Sequence, residues 1–327
     1  MRNKLTRCLA TLSLLGLACG AAQAQPYPSK PITLVVGYPA GGPVDSLARA
    51  LGQELSARLK QPVLIDNRAG ANEIVASQFV ARARPDGHTL FVSTEAPLTQ
   101  NQFLYKKLGY VPETDLVPVS ELIKVPMVLT VRPDFPAQTA QEFIAVARAR
   151  KGEQLVNYAS AGVGGVTHLP MAMFAKNEGF QWSHVPYKGA APILPDLMAG
   201  QVDATMLAVA FLAPYIQDKK VRGLAVSAQT RPKILPDVPT FKELGITDVQ
   251  ASFIIGLTAP KGLPAPIAEQ LAEASRAVLF NPTFRERNLD PYAYTAVGSA
   301  PSAFAAYLAS DRKVQQERVR ASGATLD

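Results

Sequence analysis

The regular alternation of apolar, strand-like runs with amphipathic, helix-like segments is the feature that most constrains how this chain can fold. The run Ile32 to Val36 predicts a buried strand, and leucines at every fourth position over 45–59 predict an amphipathic helix. A strand-like run at 63–65, a helix-like segment over about 74–84 and a strand-like run at 89–92 follow. This βαβαβ order predicts an α/β fold in which a mainly parallel sheet is flanked by helices.

The same order recurs in the second half of the chain. An apolar run at 127–131 predicts a strand, and Thr139 can cap the helix that follows it. Further strands are predicted at 155–159, 204–207 and 224–227, with a helix over about 168–177. Two α/β units in succession predict two lobes that meet near 124–126.

The N-terminus has the pattern of a secretory signal peptide. Three basic residues precede an apolar stretch from Leu9 to about Ala22, and the stretch ends at Ala22-Gln23-Ala24. An apolar span this short is below the roughly 20 residues that a transmembrane helix needs. We therefore predict that residues 1–24 are removed by cleavage after Ala24 and that the mature protein is periplasmic.

The two cysteines, Cys8 and Cys19, both lie within this leader. Cleavage after Ala24 would leave no thiol, so the exported domain is expected to fold without a disulfide. Lipoprotein processing at Cys19 is the alternative, because Leu17-Ala18-Cys19-Gly20 resembles part of a lipobox, although Gly16 stands where leucine is usual. That alternative would anchor the protein to a membrane.

Charge and histidine spacing limit the classes of function. The chain has a formal net charge of +7, but its basic residues are scattered among acidic ones and form no run with interleaved aromatics. Nucleic acid is therefore not an expected partner. The three histidines, His88, His168 and His184, lack the spacing of a metal-binding motif, and no cysteine remains to assist them. We predict no metal and no cofactor.

A glycine-containing loop, Tyr38 to Asp45, connects the first predicted strand to the first predicted helix. Its glycines allow several backbone N–H groups to point in one direction, and the N-terminus of the helix adds partial positive charge. Such a loop suits an anion, with Asp45 capping the first helical turn. A plain tight turn with a capping aspartate is the alternative. The loop matches neither a P-loop nor a dinucleotide-binding motif.

A second loop with the same chemistry, 159–168, joins a strand to a helix in the other unit. The hydroxyl groups of Ser160 and Thr167 can donate to a carboxylate, and His168 stands where the helix begins. One such loop is weak evidence, but a pair, one in each predicted lobe, indicates a cleft that holds an anion from both sides. Ser160 lacks the GxSxG pattern of a nucleophile elbow, so we do not predict an enzyme.

With both loops in place, the chain after the leader resembles the Bug/TctC-type receptors, the extracytoplasmic solute-binding components of tripartite tricarboxylate transporters. The similarity begins with YPSKPITLVVGYPAGGPVD at 27–45 and includes ASAGVGGVTHL at 159–169. Five more segments follow the family's order: DNRAGA at 66–71, RPDGHTL at 84–90, HVPYKGAAPILPDLMAGQVDATM at 184–206, VRGLAVSAQTRPKILPDVPTFKELG at 221–245 and GLTAPKGLP at 256–264. Each segment alone is modest evidence, but together they are specific.

The resemblance implies a two-lobed periplasmic-binding-protein fold (type II-like) with a ligand cleft between the lobes. Lobe 1 would combine residues 26–125 with 249–327, and lobe 2 would be residues 126–248. The implied function is capture of a small carboxylate for the membrane components of a tripartite transporter, by a protein that we expect to be a monomer. A ligand-sensing partner of a signalling receptor would have the same fold. A hydrolase that uses Ser160 and a histidine is the more distant alternative.

The family holds one carboxylate of its ligand between the two glycine loops, largely through backbone amides and ordered water. Carried over to this chain, that role falls in one lobe to Tyr38, Ala40, Gly41, Gly42 and Asp45. In the other lobe it falls to Ser160, Gly164, Gly165, Val166, Thr167 and His168.

The chain departs from the family's usual pattern at three places. Asn72-Glu73 stands where glycines are common, and Gly165 stands where serine is common. The run Met206 to Ala210 is apolar where polar residues are common, and we expect Leu207 to line the far end of the cleft.

These departures lead to an expectation about the ligand. An unpaired buried charge is costly, so an apolar far end disfavours citrate. We expect a monocarboxylate, or a dicarboxylate whose far end is read by Asn72, Thr94 or Glu95.

Overall fold

A computed structural model describes residues 27–246, 249 and 251–326. The predicted signal peptide, both cysteines and the alternative lipidation site lie outside the described residues. Within these ranges, the strands form one six-stranded and one five-stranded sheet.

The first sheet is built from both ends of the described chain. Its strands are β1 (Ile32–Val36), β2 (Val63–Asn67), β3 (Thr89–Ser93), β4 (Leu116–Val125), β10 (Phe253–Pro260) and β11 (Thr295–Ala296). They lie in the order β11-β4-β10-β3-β1-β2. β1 pairs in parallel with β2 and β3, whereas β10 runs antiparallel to β3 and β4, and β11 runs antiparallel to β4.

The second sheet is built from the middle of the chain. Its strands are β5 (Met127–Val131), β6 (Val156–Ser160), β7 (Trp182–Pro186), β8 (Ala204–Ala208) and β9 (Arg222–Val226), in the order β7-β6-β8-β5-β9. β6 pairs in parallel with β7 and β8, whereas β5 runs antiparallel to β8 and β9.

Helices cover the sheets. They are α1 (Pro43–Leu59), α2 (Ile74–Ala81), α3 (Pro112–Asp115), α4 (Ala140–Ala149), α5 (Leu169–Asn177), α6 (Ile193–Met198), α7 (Val209–Gln217), α8 (Ala265–Leu279), α9 (Pro282–Asn288) and α10 (Pro301–Ser322). The leucine repeat predicted α1 correctly, because Leu47, Leu51 and Leu55 form its buried face. Thr139 caps α4 as predicted, since its hydroxyl accepts from the Glu142 amide at 3.2 Å. In the described part of the chain, no helix is both long and apolar enough to cross a membrane.

Both sheets are mixed, which corrects the prediction of mainly parallel sheets. The strands that are connected through helices, such as β1, β2 and β3, do run in parallel. Among the described strands, four of the five antiparallel pairs involve β5 or β10, the strands at which the chain enters the second sheet and returns to the first, and the fifth joins the short strand β11 to β4. Helix and strand periodicity carries no information about such a return.

The chain passes between the two sheets at two adjacent places. Pro126 alone separates β4 from β5, and the return lies between β9 and β10. Ser227 and Ser252 join the two passages, because the Ser252 hydroxyl donates to the Ser227 carbonyl at 2.5 Å. The Ser227 hydroxyl in turn accepts from the Met127 amide at 2.8 Å. The lobe limits at 125 and 249 stay a prediction. The strands of the first sheet lie outside these limits, and those of the second sheet lie between them.

The C-terminal helix α10 packs against both parts of the molecule. Phe304 is fully buried against Gly256 of β10, where an added Cβ would lie 2.5 Å from the phenylalanine ring. Further along the helix, Val319 clusters with Leu169 of α5 and with Leu104. α10 therefore connects the first sheet to the helix that follows the second glycine loop.

Candidate functional site

The first glycine loop lies at the carboxyl end of β1 and leads into α1. Gly41 has a φ of +91°, which favours glycine, and Gly42 is the extended N-cap residue of α1. Ala40 and Gly41 are exposed. Among the described residues, neither the Ala40 nor the Gly42 amide has a hydrogen-bond acceptor. Two amide donors, one on an exposed residue and one on the half-buried Gly42, are therefore unpaired at the positive end of a helix dipole.

Asp45 organises this loop from behind. Its buried carboxylate accepts from the Gly41 amide at 2.8 Å, from Arg49 Nε at 2.9 Å and from Asn67 Nδ2 at 2.9 Å. Burial alone would raise the pKa of Asp45, but the hydrogen bonds from Arg49, Gly41 and Asn67 lower it overall. The Gly41 amide and the Asp45 carboxylate are therefore hydrogen bonded to each other. The structure thus gives Asp45 a supporting role instead of the predicted ligand contact.

The second glycine loop lies at the carboxyl end of β6 and leads into α5. Gly162 and Gly164 have φ values of +151° and +70°. The Ala161 amide donates to Thr167 Oγ1 at 2.9 Å, and the Gly164 amide donates to His168 Nδ1 at 3.1 Å. In the described ranges, the amides of Val166 and Thr167 have no acceptor. This loop thus repeats the arrangement of the first: internal bonds fix its shape and leave amides unpaired.

Two histidines stack beneath the second loop. The rings of His168 and His184 are 3.8 Å apart and nearly parallel, with an interplanar angle of 8°. Burial, followed by the neighbouring His184, lowers the pKa of His168 to about 4. His168 is therefore neutral near pH 7. Because its Nδ1 accepts from Gly164, its proton is on Nε2, where it can donate.

Ser160 is not available to a ligand, which corrects the sequence prediction. Its side chain is fully buried, and Oγ lies 2.6 Å from His184 Nε2 and 3.1 Å from the Gly162 carbonyl. Within the described part of the chain, no carboxylate hydrogen bonds to His184 to orient it as a general base. The serine–histidine contact therefore supports the loop and lacks the access and the third group of a hydrolase.

A segment of the first unit covers the second loop. The buried side chain of Gln100 donates to the Gly164 carbonyl, and Leu104 lies so close that a Cβ at Gly164 would be 2.9 Å from it. This contact brings the second loop against the unit that carries the first loop. Gln100 could not be identified from the sequence, because a glutamine outside any motif gives no signal of this role.

Of the three residues predicted to read the far end of the ligand, Asn72 and Thr94 lie near the first loop, whereas Glu95 faces α10. Asn72 is half-buried, and its side-chain amide donates to Asn101 Oδ1 at 2.7 Å. Asn101 Nδ2 in turn donates to the Asn72 backbone carbonyl at 2.8 Å. Thr94 is buried beside the first loop. Glu95 instead accepts from the Ile254 amide at 3.0 Å and interacts with Asp311 and Arg318 of α10. The structure thus contradicts the expectation that Glu95 reads the ligand.

Leu207 is also wrong as a predicted ligand contact. It is only 2 % exposed and packs with Val128 and Ala159 in the core of the second unit. Met206 points to the opposite side of β8 and belongs to the larger core. The apolar run at 206–210 is therefore explained by packing on both faces of β8 and by the buried start of α7 at Val209, and it no longer argues against citrate.

A groove of about 380 Å³ lies beside the two passages between the sheets. It is lined by residues such as Lys124 and Ser252 and includes neither glycine loop. Two of its cations already have acidic neighbours, since Arg231 is 2.9 Å from Glu243 and Arg285 is 3.6 Å from Asp290. The glycine loops, with their unpaired amides, are the better candidate for the site.

The hydroxyl of Thr167 gives a testable prediction about the second loop. It accepts from Ala161 and keeps its own proton for a ligand, with the side chain 8 % exposed. We expect Thr167→Ala to weaken carboxylate binding by about 1.5–3 kcal/mol, the value of one hydrogen bond to a charged group. Thr167→Ser keeps the hydroxyl and should bind like the wild type. Isothermal titration calorimetry on both variants checks this, and equal losses in the two would contradict it.

A comparison with known proteins decides the family. Residues 47–305 match the family model of the tripartite tricarboxylate transporter family receptor, TctC. The chain belongs to this family. TctC proteins are solute-binding receptors rather than a class of enzymes, and the sequence-based identification is confirmed.

Relatives from bacteria align over most of this TctC protein. BugT of Bordetella pertussis is 35 % identical over 262 residues, which cover 79 % of this chain and 80 % of BugT. A UPF0065 protein in the gbd 5' region of Cupriavidus necator is 37 % identical over 289 residues, covering 86 % of each chain.

Solved structures of the family share the fold. The periplasmic binding protein BugD superposes with a TM-score of 0.76 at 30 % identity, covering 91 % of this chain and 99 % of BugD. An R. palustris protein solved with adipate superposes with a TM-score of 0.80 at 30 % identity, covering 92 % of this chain and all of that protein. MatC from Rhodopseudomonas palustris with bound malate superposes with a TM-score of 0.76 at 31 % identity, covering 90 % of this chain and all of MatC. The α/β, two-lobed periplasmic-binding-protein fold is therefore confirmed.

Proposed function

We propose that this TctC protein captures a small carboxylate between its two glycine loops and delivers it to the membrane components of a tripartite transporter. The observation that carries the proposal is the matched pair of loops, each at the carboxyl end of a strand and each with unpaired amides. The ligand-binding residues proposed in the first loop are Tyr38, Ala40 and Gly42. In the second loop they are Gly165, Val166, Thr167 and His168, with Asn72 beside the cleft. The amide and carbonyl of Gly164 and both donors of Thr94 are already used within the protein.

The charges of the loops support a ligand with few carboxylates. Neither 38–45 nor 160–168 contains lysine or arginine. One carboxylate can be held by amides at two helix N-termini, which favour negative charge. Each further carboxylate would need a cation that these loops do not provide. We therefore propose a monocarboxylate or a dicarboxylate, and the related proteins solved with adipate and malate are consistent with this class.

The cellular setting is part of the proposal. The leader at 1–24 supports export to the periplasm and free diffusion there, with lipidation at Cys19 as the alternative, and we propose that the protein is a monomer. Binding without turnover is proposed because Ser160 is buried and because, among the described residues, no acid hydrogen bonds to its partner His184. A ligand-sensing partner of a signalling receptor would use the same cleft, and neighbouring genes for membrane transport components would favour the transport role.

A panel of acids tests the proposed function. Purified protein is titrated with acetate, benzoate, adipate, L-malate and citrate while its thermal unfolding is followed. An acid at 100 times its Kd should stabilise the protein by about 2.7 kcal/mol. We expect stabilisation by at least one mono- or dicarboxylate and less by citrate. Stabilisation by citrate alone would contradict the ligand class, and hydrolysis of an ester analogue would contradict a receptor without turnover.

A further inference from the structure

Glu73 is a buried carboxylate directly behind the first glycine loop. Its side chain is 1 % exposed. Thr94 donates to it from both its hydroxyl and its amide, the latter at 3.3 Å from Oε1. The Tyr38 hydroxyl also hydrogen bonds to it. Because Tyr38 is the first residue of the loop, a single side chain connects Glu73 to the proposed ligand site.

The backbone that presents Glu73 is strained. Ala71, Asn72 and Glu73 have φ values of 46°, 51° and 69°, three left-handed residues in succession without a glycine. Such conformations are costly and persist where surrounding contacts enforce them, often at functional sites. A Cβ at Gly37 would lie 2.7 Å from the Glu73 Cβ, so Glu73 also fills the space beneath the loop. Glycines, which are common here in the family, would make the same turn without strain.

The surroundings of Glu73 contain other acids but no paired cation. Its ionisable neighbours are Tyr38 and Tyr110, neither of which carries a positive charge, and Tyr38 also interacts with Glu95. In the described residues, no lysine, arginine or histidine forms an ion pair with Glu73. Burial raises the pKa of Glu73 to about 7, although the hydrogen bonds from Thr94 and Tyr38 lower it in part.

A carboxylate that enters the first loop brings a second negative charge to this region. Interactions between charges are strong where solvent is excluded, so the two carboxylates disfavour each other when both are ionised. A proton on Glu73 removes that repulsion. The protonated carboxyl then donates to the hydroxyl of Thr94 or Tyr38, which turns to accept, while the Thr94 amide still donates to a carboxyl oxygen.

We propose that Glu73 makes ligand capture proton-coupled, so that a carboxylate enters the first loop together with one proton that Glu73 takes up. The proton passes from solvent to a carboxylate oxygen of Glu73, and no bond of the ligand changes. Glu73 thereby acts as a positioning residue through Tyr38 and disfavours ligands that place a second charge near the loop. The inference rests on the proposed function, because it requires a carboxylate between the glycine loops.

Calorimetry in two buffers measures the coupled proton directly. Wild type and Glu73→Gln are titrated with acetate, benzoate, adipate and L-malate at pH 7.5 in HEPES and in Tris, whose ionisation enthalpies differ. The difference in observed heat gives the number of protons taken up. We expect roughly 0.5–1 proton per bound acid in the wild type and close to none in Glu73→Gln. The wild-type Kd should also rise up to about tenfold between pH 7 and pH 8, while that of the variant stays flat.

Glu121→Gln is the matched control. Glu121 is a second buried carboxylate, on β4, whose pKa is also raised by burial, but its neighbours are Lys124 and Asp311 rather than the loop. We expect this variant to take up protons as the wild type does. Binding with equal proton uptake in wild type and Glu73→Gln would overturn the inference and leave the proposed function intact. Absence of binding by all four acids in the wild type would overturn the proposed function and, with it, this inference.

The pH dependence of unfolding supplies a test without ligand. The folded-state pKa of Glu73 lies above its ordinary value of 4.5, so the stability that its protonated form contributes is complete below about 4.5. That stability is lost as the pH rises through about 7. The wild type should therefore lose stability over this range relative to Glu73→Gln. Parallel pH profiles for the two proteins would contradict a proton on Glu73 near neutral pH.

Discussion

Gly42→Val is expected to abolish carboxylate binding while the protein stays folded. Gly42 has a φ of −82°, which any residue adopts, and a Cβ there would meet only the Pro39 carbonyl at 3.9 Å. The valine side chain would therefore fit the backbone but extend over the unpaired amides at the start of α1. Loss of two hydrogen bonds to a charged group corresponds to about 3 kcal/mol or more, a decrease in affinity of over 100-fold.

Ala300→Val is the matched control for this variant. Ala300 is the N-cap residue of α10, precedes a proline at the first helical position and, like Gly42, makes no side-chain capping bond. The two substitutions place the same side chain at equivalent helix positions. Calorimetric titration should show wild-type affinity for Ala300→Val, and both variants should unfold within about 0.5 kcal/mol of the wild type. Retained binding in Gly42→Val would show that the first loop is not the site.

Phe304→Ala is expected to lower the free energy of unfolding by about 3–5 kcal/mol, the usual cost of removing a buried phenylalanine. The ring is completely buried between α10 and Gly256 of β10, which has no side chain of its own to occupy the space. Because α10 also contacts α5, this loss would loosen the support of the second loop.

Phe280→Ala is the control for the loss of a phenylalanine as such. Phe280 follows α8 and is 44 % exposed, so its removal should change the stability by less than about 1 kcal/mol. Urea unfolding of both variants measures the difference. A loss below about 1.5 kcal/mol for Phe304→Ala would contradict the packing described for α10.

The sequence predicted the local elements and the two loops because their causes are local. The leucine repeat of α1 and the Thr139 cap of α4 depend on neighbours within one or two helical turns. The glycine loops could be located because Gly41 and Gly164 require positive φ values between a strand and a helix. The positions of β10 and β11 depend on pairing with strands more than a hundred residues away, and periodicity contains no trace of that.

The errors at the site have one common physical origin. Polar groups near an anion site can point toward the ligand or be used within the protein, and the sequence does not distinguish the two. Asp45 and Ser160 proved to be internal partners of the loops, and Glu95 proved to face α10. An apolar side chain such as that of Leu207 can likewise line a pocket or pack in the core, and the sequence does not distinguish the two. On β8 it packs in the core.

Glu73 shows how a departure from a pattern can be informative. The sequence marked it only as a residue in place of glycine. Its burial and its bonds to Thr94 and Tyr38 became visible once the loop after β2 was placed beside the loop after β1. The carboxyl ends of neighbouring parallel strands bring these loops together, as expected for an α/β sheet.

The structure of the protein crystallised with adipate is the most direct test of the central claim. We expect one carboxylate of the acid to lie within hydrogen-bonding distance, about 3 Å, of the amides of Gly42 in one loop and Thr167 in the other, directly or through one water. Adipate bound instead in the groove beside Ser252, with both glycine loops free of it, would contradict the account.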